Sequence, residues 1–351
     1  MTPETAAAAA TSGYPLLAIV GPTAAGKSAL ALAIAKRWNG EIVNYDAMQV
    51  YRGFDIGTGK IRPDEQDGIP HHLLDCVEPD QIFTAGEFAR AASATLVSVR
   101  GRGRLPILVG GTGLYLRALL EGLFEGPKRS EVLRARLGDI ADRRGREFLH
   151  RLLRRLDAPA AARIKPRDTQ KIIRAVEVCL LAGQPLTSLQ ARGRNALQGF
   201  QAVKIGLDPA RRELNRRIDA RVERMFAAGL VDEARRLFDE RKNGGRDSSS
   251  GFGPFTSLGY PQAIAAARGE ISDEEAILQT QAATRRYAKR QRTWFRHELG
   301  VTWFAGFGDD AALQEQIFEW LEKALPPLGA SRRCPNSSTI AREPLQHEVQ
   351  R

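Results

Sequence analysis

The chain has 351 residues, 43% of them hydrophobic, and a formal net charge of +11 at neutral pH. That apolar content suffices for a substantial core and for two domains, and the positive balance suits a polyanionic partner. No run reaches the length of a membrane span. Cys76, Cys179 and Cys334 are widely spaced without CxxC or paired-histidine spacing, which argues against a zinc site or disulfide framework and favours the cytoplasm.

In chain order, the Ala/Thr-rich segment Met1 to Gly13 carries Glu4 and no basic n-region, so it reads as a disordered tail and not as a signal peptide. The apolar run Leu16 to Val20 predicts a strand and Ala29 to Arg37 a helix. Between them, Gly21-Pro22-Thr23-Ala24-Ala25-Gly26-Lys27-Ser28 has the GxxxxGKS pattern of a phosphate-binding loop. Its glycines let successive N–H groups converge on an anion, Lys27 adds a point charge, and Ser28 offers a hydroxyl to a metal ion. The helix turns its positive end to the same spot. A phosphate or pyrophosphate site follows; the competing reading is a Gly-rich turn with an incidental lysine.

Glu41 to Asp46 predicts a second strand ending in a carboxylate, and in a parallel sheet that end lies on the ligand side. Asp46 is therefore a candidate general base or metal ligand, with a helix N-cap as the alternative. His71 and His72 fall in an expected loop and are assigned no chemistry. A third strand, Leu105 to Val109, runs into Gly110-Gly111-Thr112-Gly113 and a helical stretch, Leu114 to Leu120, without the acidic residue that helps many phosphate-loop ATPases hold magnesium. From Gly126 to Phe200 the apolar spacing is helical throughout, and 17 Lys or Arg stand against 7 Asp or Glu. A strand over Ala202 to Leu207 and a helix over Arg216 to Phe226 follow. The Gly/Ser-rich stretch Lys242 to Phe255 predicts a mobile loop. Arg285, Arg286, Lys289, Arg290, Arg292 and Arg296 form a second basic cluster at helical spacing, and beyond Pro326 the chain reads as a disordered tail. The expected fold is α/β: a P-loop NTPase-like parallel-sheet core over 14–125 and 201–325, an inserted all-helical domain over 126–200, and tails at 1–13 and 326–351.

The phosphate loop, the run Asp46 to Lys60, Pro70-His71-His72-Leu73-Leu74-Asp75 and Val109-Gly110-Gly111-Thr112-Gly113-Leu114-Tyr115 together resemble the tRNA dimethylallyltransferases, also called tRNA isopentenyltransferases. The resemblance continues through Asp168 to Glu177, Leu258-Gly259-Tyr260 and Thr284 to Phe295, and covers roughly 15 to 305 in family order. It implies transfer of a dimethylallyl group from its diphosphate to N6 of the adenosine 3′ of the anticodon, with magnesium required.

The resemblance also implies roles. The whole loop from Gly21 to Ser28, with Arg221, would bind diphosphate, Ser28 would carry the metal, Asp46 would accept the N6 proton, and Thr23 would hydrogen-bond Asp46 or the bridging oxygen. Ala47, Met48 and Gln49 would meet the flipped base, with Thr112 and Arg134 beside the RNA. Gln170, Lys171, Ile172, Ile173 and Arg174 align with a tRNA-contacting patch, although Ile172, Ile173, Val176 and Cys179 also read as a core-facing helical stripe. The expected partners are the anticodon arm of tRNA and dimethylallyl diphosphate, bound by a cytoplasmic monomer without membrane attachment. A nucleoside or small-molecule kinase, an isopentenyltransferase of free adenine nucleotides and a noncatalytic RNA-binding protein are the alternatives, of which the first would consume ATP.

Overall fold

The computed structural model describes residues 13–243 and 253–325. Apart from Gly13, the two expected tails lie outside the described residues, as do Cys334 and most of the loop expected over 242–255. The ends of that loop differ from the expectation. Lys242 still belongs to a helix, and Phe255 sits in a short 3-10 turn, Pro254–Thr256, buried edge-on against Phe54 with ring centroids 5.0 Å apart.

Six strands, β1 (Tyr14–Val20), β2 (Gly40–Asn44), β3 (His71–His72), β4 (Leu105–Val109), β5 (Phe200–Leu207) and β6 (Val301–Phe304), form one parallel sheet in the order β3-β2-β4-β1-β5-β6. All seven residues of β1 are buried, as a central parallel strand covered on both faces requires. Alternation sorts its side chains. Leu17 and Ile19 join the cluster formed with α1 (Lys27–Arg37) and α13 (Ala311–Ala324), whereas Leu16, Ala18 and Val20 join the one formed with α2 (Ala85–Gly101) and α3 (Gly113–Leu120). Each Leu or Ile taken fully out of water there contributes about 1.5–3 kcal/mol. The start of α2 is fixed locally: Thr84 Oγ1 accepts the Glu87 N–H at 3.2 Å and the Glu87 carboxylate accepts the Thr84 N–H at 2.7 Å, a reciprocal cap.

His71 and His72, expected in a loop, instead form the short edge strand β3. Two residues are too few to carry a periodic signal; what holds them is pairing to Ile42 and Val43 and a 2.7 Å contact from His72 Nε2 to Glu41. β6 was likewise not predicted, its residues being only half-buried.

Between β4 and β5 the chain is helical: α4 (Glu131–Arg144), α5 (Arg146–Leu156), α6 (Ala158–Arg163), α7 (Thr169–Ala182) and α8 (Leu186–Ala191) enclose a hydrophobic cluster of their own around Leu149, Leu153, Ile172 and Val176. After β5 come α9 (Arg211–Ala227), α10 (Leu230–Asn243), α11 (Tyr260–Ala267) and the long α12 (Asp273–Arg296). The last of these delivers Phe295 to the core beneath α2 and α3.

Candidate active site

The β1-to-α1 connection is the phosphate loop. Gly21, Ala24 and Gly26 all have positive φ, +142°, +63° and +83°, so the backbone reverses hand repeatedly within six residues. Gly26 is doubly constrained, because a Cβ there would also stand 2.7 Å from the Gly308 nitrogen. Gly308 in turn donates its N–H to Ala25 O at 2.9 Å, so the turn between β6 and α13 braces the phosphate loop from behind. Lys27 Nζ curls back to donate to Pro22 O at 2.8 Å. The Ser28 side chain is exposed in the first turn of α1, and its hydroxyl makes no hydrogen bond among the described residues.

Three charges converge here. Lys27 is half-buried, yet protein crowds its ammonium closely enough to push the pKa from 10.5 down to about 7; the Arg221 guanidinium adds to the depression and the Asp46 carboxylate opposes it. Arg221, from α9, is itself held below the usual guanidinium range by burial, against the pull of Asp46. Asp46 lies just past the end of β2. Its Oδ1 accepts the Met48 N–H at 2.9 Å, while its own N–H donates to Asn44 Oδ1 at 3.0 Å. One carboxylate oxygen therefore caps the 46–48 turn. The other, Oδ2, faces the β4-to-α3 turn, 3.0 Å from where a Cβ on Gly111 would stand. Residues 47–50 form a turn and not the helix that an N-cap at Asp46 would start, so Oδ1 closes a turn while Oδ2 is left towards the site. Thr112 Oγ1 accepts the Ala47 N–H at 2.9 Å and so ties the turn after β4 to the turn after β2. Gln49 Nε2 donates to Thr58 O and Gly59 O at 3.2 and 3.4 Å. The Thr23 hydroxyl makes no hydrogen bond to Asp46; it is the Thr23 N–H that is engaged.

Its partner is Gln291, a residue given no role from sequence. Gln291 Oε1 accepts the Thr23 N–H at 2.8 Å while its Nε2 donates to Gly111 O at 3.0 Å. This buried amide on α12 clamps the phosphate loop to the β4-to-α3 turn. Tyr287, one turn earlier, points its hydroxyl at the same Gly111 carbonyl, 3.4 Å away. The available signal was the i, i+4 spacing of Tyr287 and Gln291, which puts both on one face of a basic helix.

The residues expected to grip RNA divide. Gln170 and Lys171 are exposed at the start of α7, Lys171 pairing with Asp168 at 2.7 Å. Ile172 and Ile173 are 0% and 6% exposed inside the helical core, which corrects their reading as contacts: they pack and offer no side chain to a nucleic acid. Arg134 and Arg174 both bind the fully buried Glu177, at 2.9 and 2.7 Å, and Ser130 N–H adds a third donor at 2.7 Å. These arginines neutralise a carboxylate that burial would otherwise penalise. A separate open groove of about 650 Å³ runs between α3 and α12, lined by Arg117, Arg286, Lys289, Arg290 and the indole of Trp294, over which the Arg117 guanidinium sits at 4.7 Å. A part-exposed indole among cations is the kind of surface that stacking and phosphate contact use.

The family model for IPP transferase matches residues 49–298. A tRNA dimethylallyltransferase of Solibacter usitatus is 50% identical over 315 residues, covering 89% of this chain and 99% of that relative. One from Koribacter versatilis is 50% identical over 298 residues, covering 85% and 95%. Among solved structures, the tRNA isopentenylpyrophosphate transferase of Bacillus halodurans is similar with a TM-score of 0.64 at 39% identity, covering 89% of this chain and 97% of that one.

Proposed function

This chain belongs to the IPP transferase family, and from that premise we propose that it is a tRNA dimethylallyltransferase, moving a dimethylallyl group from dimethylallyl diphosphate to N6 of the adenosine 3′ of the anticodon. The observation that carries the chemistry is the convergence of Lys27, Arg221 and Asp46 on the phosphate loop. An allylic transfer needs charge stabilised on the departing diphosphate and a proton removed from the attacking amine. The loop N–H groups, Lys27 and Arg221 supply the first. The uncapped oxygen of Asp46 supplies the second, taking the N6 proton as the new C–N bond forms and the C–O bond to diphosphate breaks. The Thr23 hydroxyl, unspent within the site, would hydrogen-bond the bridging oxygen.

Magnesium fits the free hydroxyl of Ser28, because this ion keeps several waters and is commonly held by one or two protein groups together with substrate phosphates. Bound by Ser28 and diphosphate oxygens, it would neutralise charge on the leaving group. The tRNA would lie along the exposed start of α7 and the groove between α3 and α12. No described helix is long and apolar enough to cross a membrane. A cytoplasmic monomer is the assembly proposed.

Incubation of the protein with magnesium, dimethylallyl diphosphate and total tRNA, followed by nucleoside mass analysis, is expected to yield N6-dimethylallyladenosine with stoichiometric diphosphate. Phosphoryl transfer from ATP to a nucleoside, with no prenylated product, would instead establish a kinase.

A further inference from the structure

Glu233, on α10, is 8% exposed, and its carboxylate meets donors on every side without an ion-pair partner among the described residues. Oε2 accepts the N–H groups of Asp55 and Ile56 at 3.2 and 2.9 Å; Oε1 accepts the Gly57 N–H at 3.3 Å and the Tyr260 hydroxyl at 2.6 Å. Three consecutive backbone N–H groups closing on one buried carboxylate make a nest turned inward, with the protein supplying its own anion. For stability alone such a buried charge is a poor choice, since well-packed apolar groups do as well or better. Its specific effect is to fix the conformation of the segment from Asp55 to Gly59.

What that segment carries lies two residues on. Gly59 has φ +60°, and the Arg221 Nη2 atom stands 1.8 Å from where its Cβ would be, so the guanidinium rests directly on the Gly59 backbone. The Thr58 and Gly59 carbonyls take the Gln49 amide on another side, and Lys60, next in sequence, is buried against Tyr51 O, Asp55 and Asp75, anchoring the far end of the turn. A shift of the 55–59 backbone would move the floor under Arg221.

We propose that Glu233 is a positioning residue for diphosphate binding and allyl transfer: with Tyr260, its carboxylate holds the 55–59 turn so that Gly59 seats the Arg221 guanidinium toward the phosphate loop. This rests on the assignment of Arg221 to the diphosphate. Glu233 touches no substrate and acts only through the turn.

Titration of inorganic pyrophosphate into the full chain with magnesium reads the effect directly. Glu233→Gln keeps the shape and one carbonyl acceptor but loses the second. It is expected to weaken pyrophosphate about tenfold, as loss of one well-placed charged contact does, with tRNA affinity unchanged within about twofold because phosphate contacts on other elements carry it. The deciding measurement is a double-mutant cycle. In an Arg221→Ala background, Glu233→Gln should have no further effect on pyrophosphate, whereas a purely structural role would give additive losses. Tyr260→Phe removes one of the four donors and is expected to act in the same direction by about threefold; should Glu233→Gln fail to fold, the same cycle with Tyr260→Phe decides. Unchanged pyrophosphate affinity in a folded variant, or full additivity with Arg221→Ala, overturns the proposal. Failure of the wild type to prenylate tRNA, with the pyrophosphate cycle behaving as expected, would remove the functional reading and leave Glu233 a positioning residue for diphosphate binding alone.

Discussion

Lys27 is held at a cost to the fold, and Lys27→Met measures it. Below pH 7 the lysine is charged in both folded and unfolded chains, so the folded state bears the whole burden of enclosing an ammonium beside Arg221. Between about 7 and 10.5 the folded state gives up the proton and the unfolded state keeps it, so stability rises with pH across that window; above it the lysine is neutral in both. A fall from 10.5 to about 7 sets a ceiling of about 5 kcal/mol, at about 1.36 kcal/mol per tenfold. Partial exposure, the bond to Pro22 O and the nearby Asp46 reduce it, and about 1–3 kcal/mol is the expected gain for Lys27→Met at pH 6. By pH 9.5 the gain should shrink to about a third of that. Urea unfolding of both proteins at the two pH values gives the difference, and titration with pyrophosphate should show binding in the variant reduced by about 100-fold or more. A variant less stable than wild type at pH 6, or a difference that does not change with pH, would refute the reasoning.

Asp46→Asn should lower single-turnover transfer by about 100-fold or more, with tRNA affinity unchanged, because the amide still caps Met48 N–H but is no base; near-normal turnover would leave the residue as a cap only. Arg174→Ala should destabilise the helical insertion by about 1–3 kcal/mol, read by thermal circular dichroism, because Glu177 is left with Arg134 and Ser130 alone. Burial pushes the Glu177 carboxyl up, but Arg134, the Ser130 N–H and Arg174 outweigh it and hold it below its ordinary 4.5. Its contribution is therefore complete above that value and lost as pH falls below it, and Glu177→Gln should remove this acid sensitivity. In the groove, replacing Arg286, Lys289 or Arg290 by Ala should each reduce the log-log salt slope of tRNA binding by roughly 0.7 to 0.9, and a slope that does not move would make the groove a solvated face.

Local signals made the phosphate loop and Asp46 legible. A GxxxxGKS run between strand and helix, and a carboxylate just past the end of the next strand, are consequences of a few adjacent residues. Gln291 was not legible as a clamp because its partners Thr23 and Gly111 lie far along the chain and are met only through their backbones, which no side-chain pattern records. Glu233 is hidden for the same reason, its partners in the 55–57 turn being N–H groups. Arg134 and Arg174 show the opposite failure. Counting charges over 126–200 registers them as excess cations, but the count cannot see that a single buried glutamate takes them both. The strands β3 and β6 escaped because they are short and half-exposed, held by pairing with strands already formed.

The brace from Gly308 to Ala25 sets a timetable for synthesis. The phosphate loop leaves the ribosome long before the residue that supports it. Strand β1 must likewise wait for β4 and then for β5, two partners separated by the whole helical insertion. Contacts of long sequence separation form slowly, and local ones quickly. The insertion, whose core is drawn from consecutive helices, should therefore consolidate on the nascent chain while the diphosphate site is still open. A chain released before residue 308 should present its α4–α8 unit intact and bind pyrophosphate weakly, so that premature termination would produce helical fragments carrying a basic surface and no working catalyst.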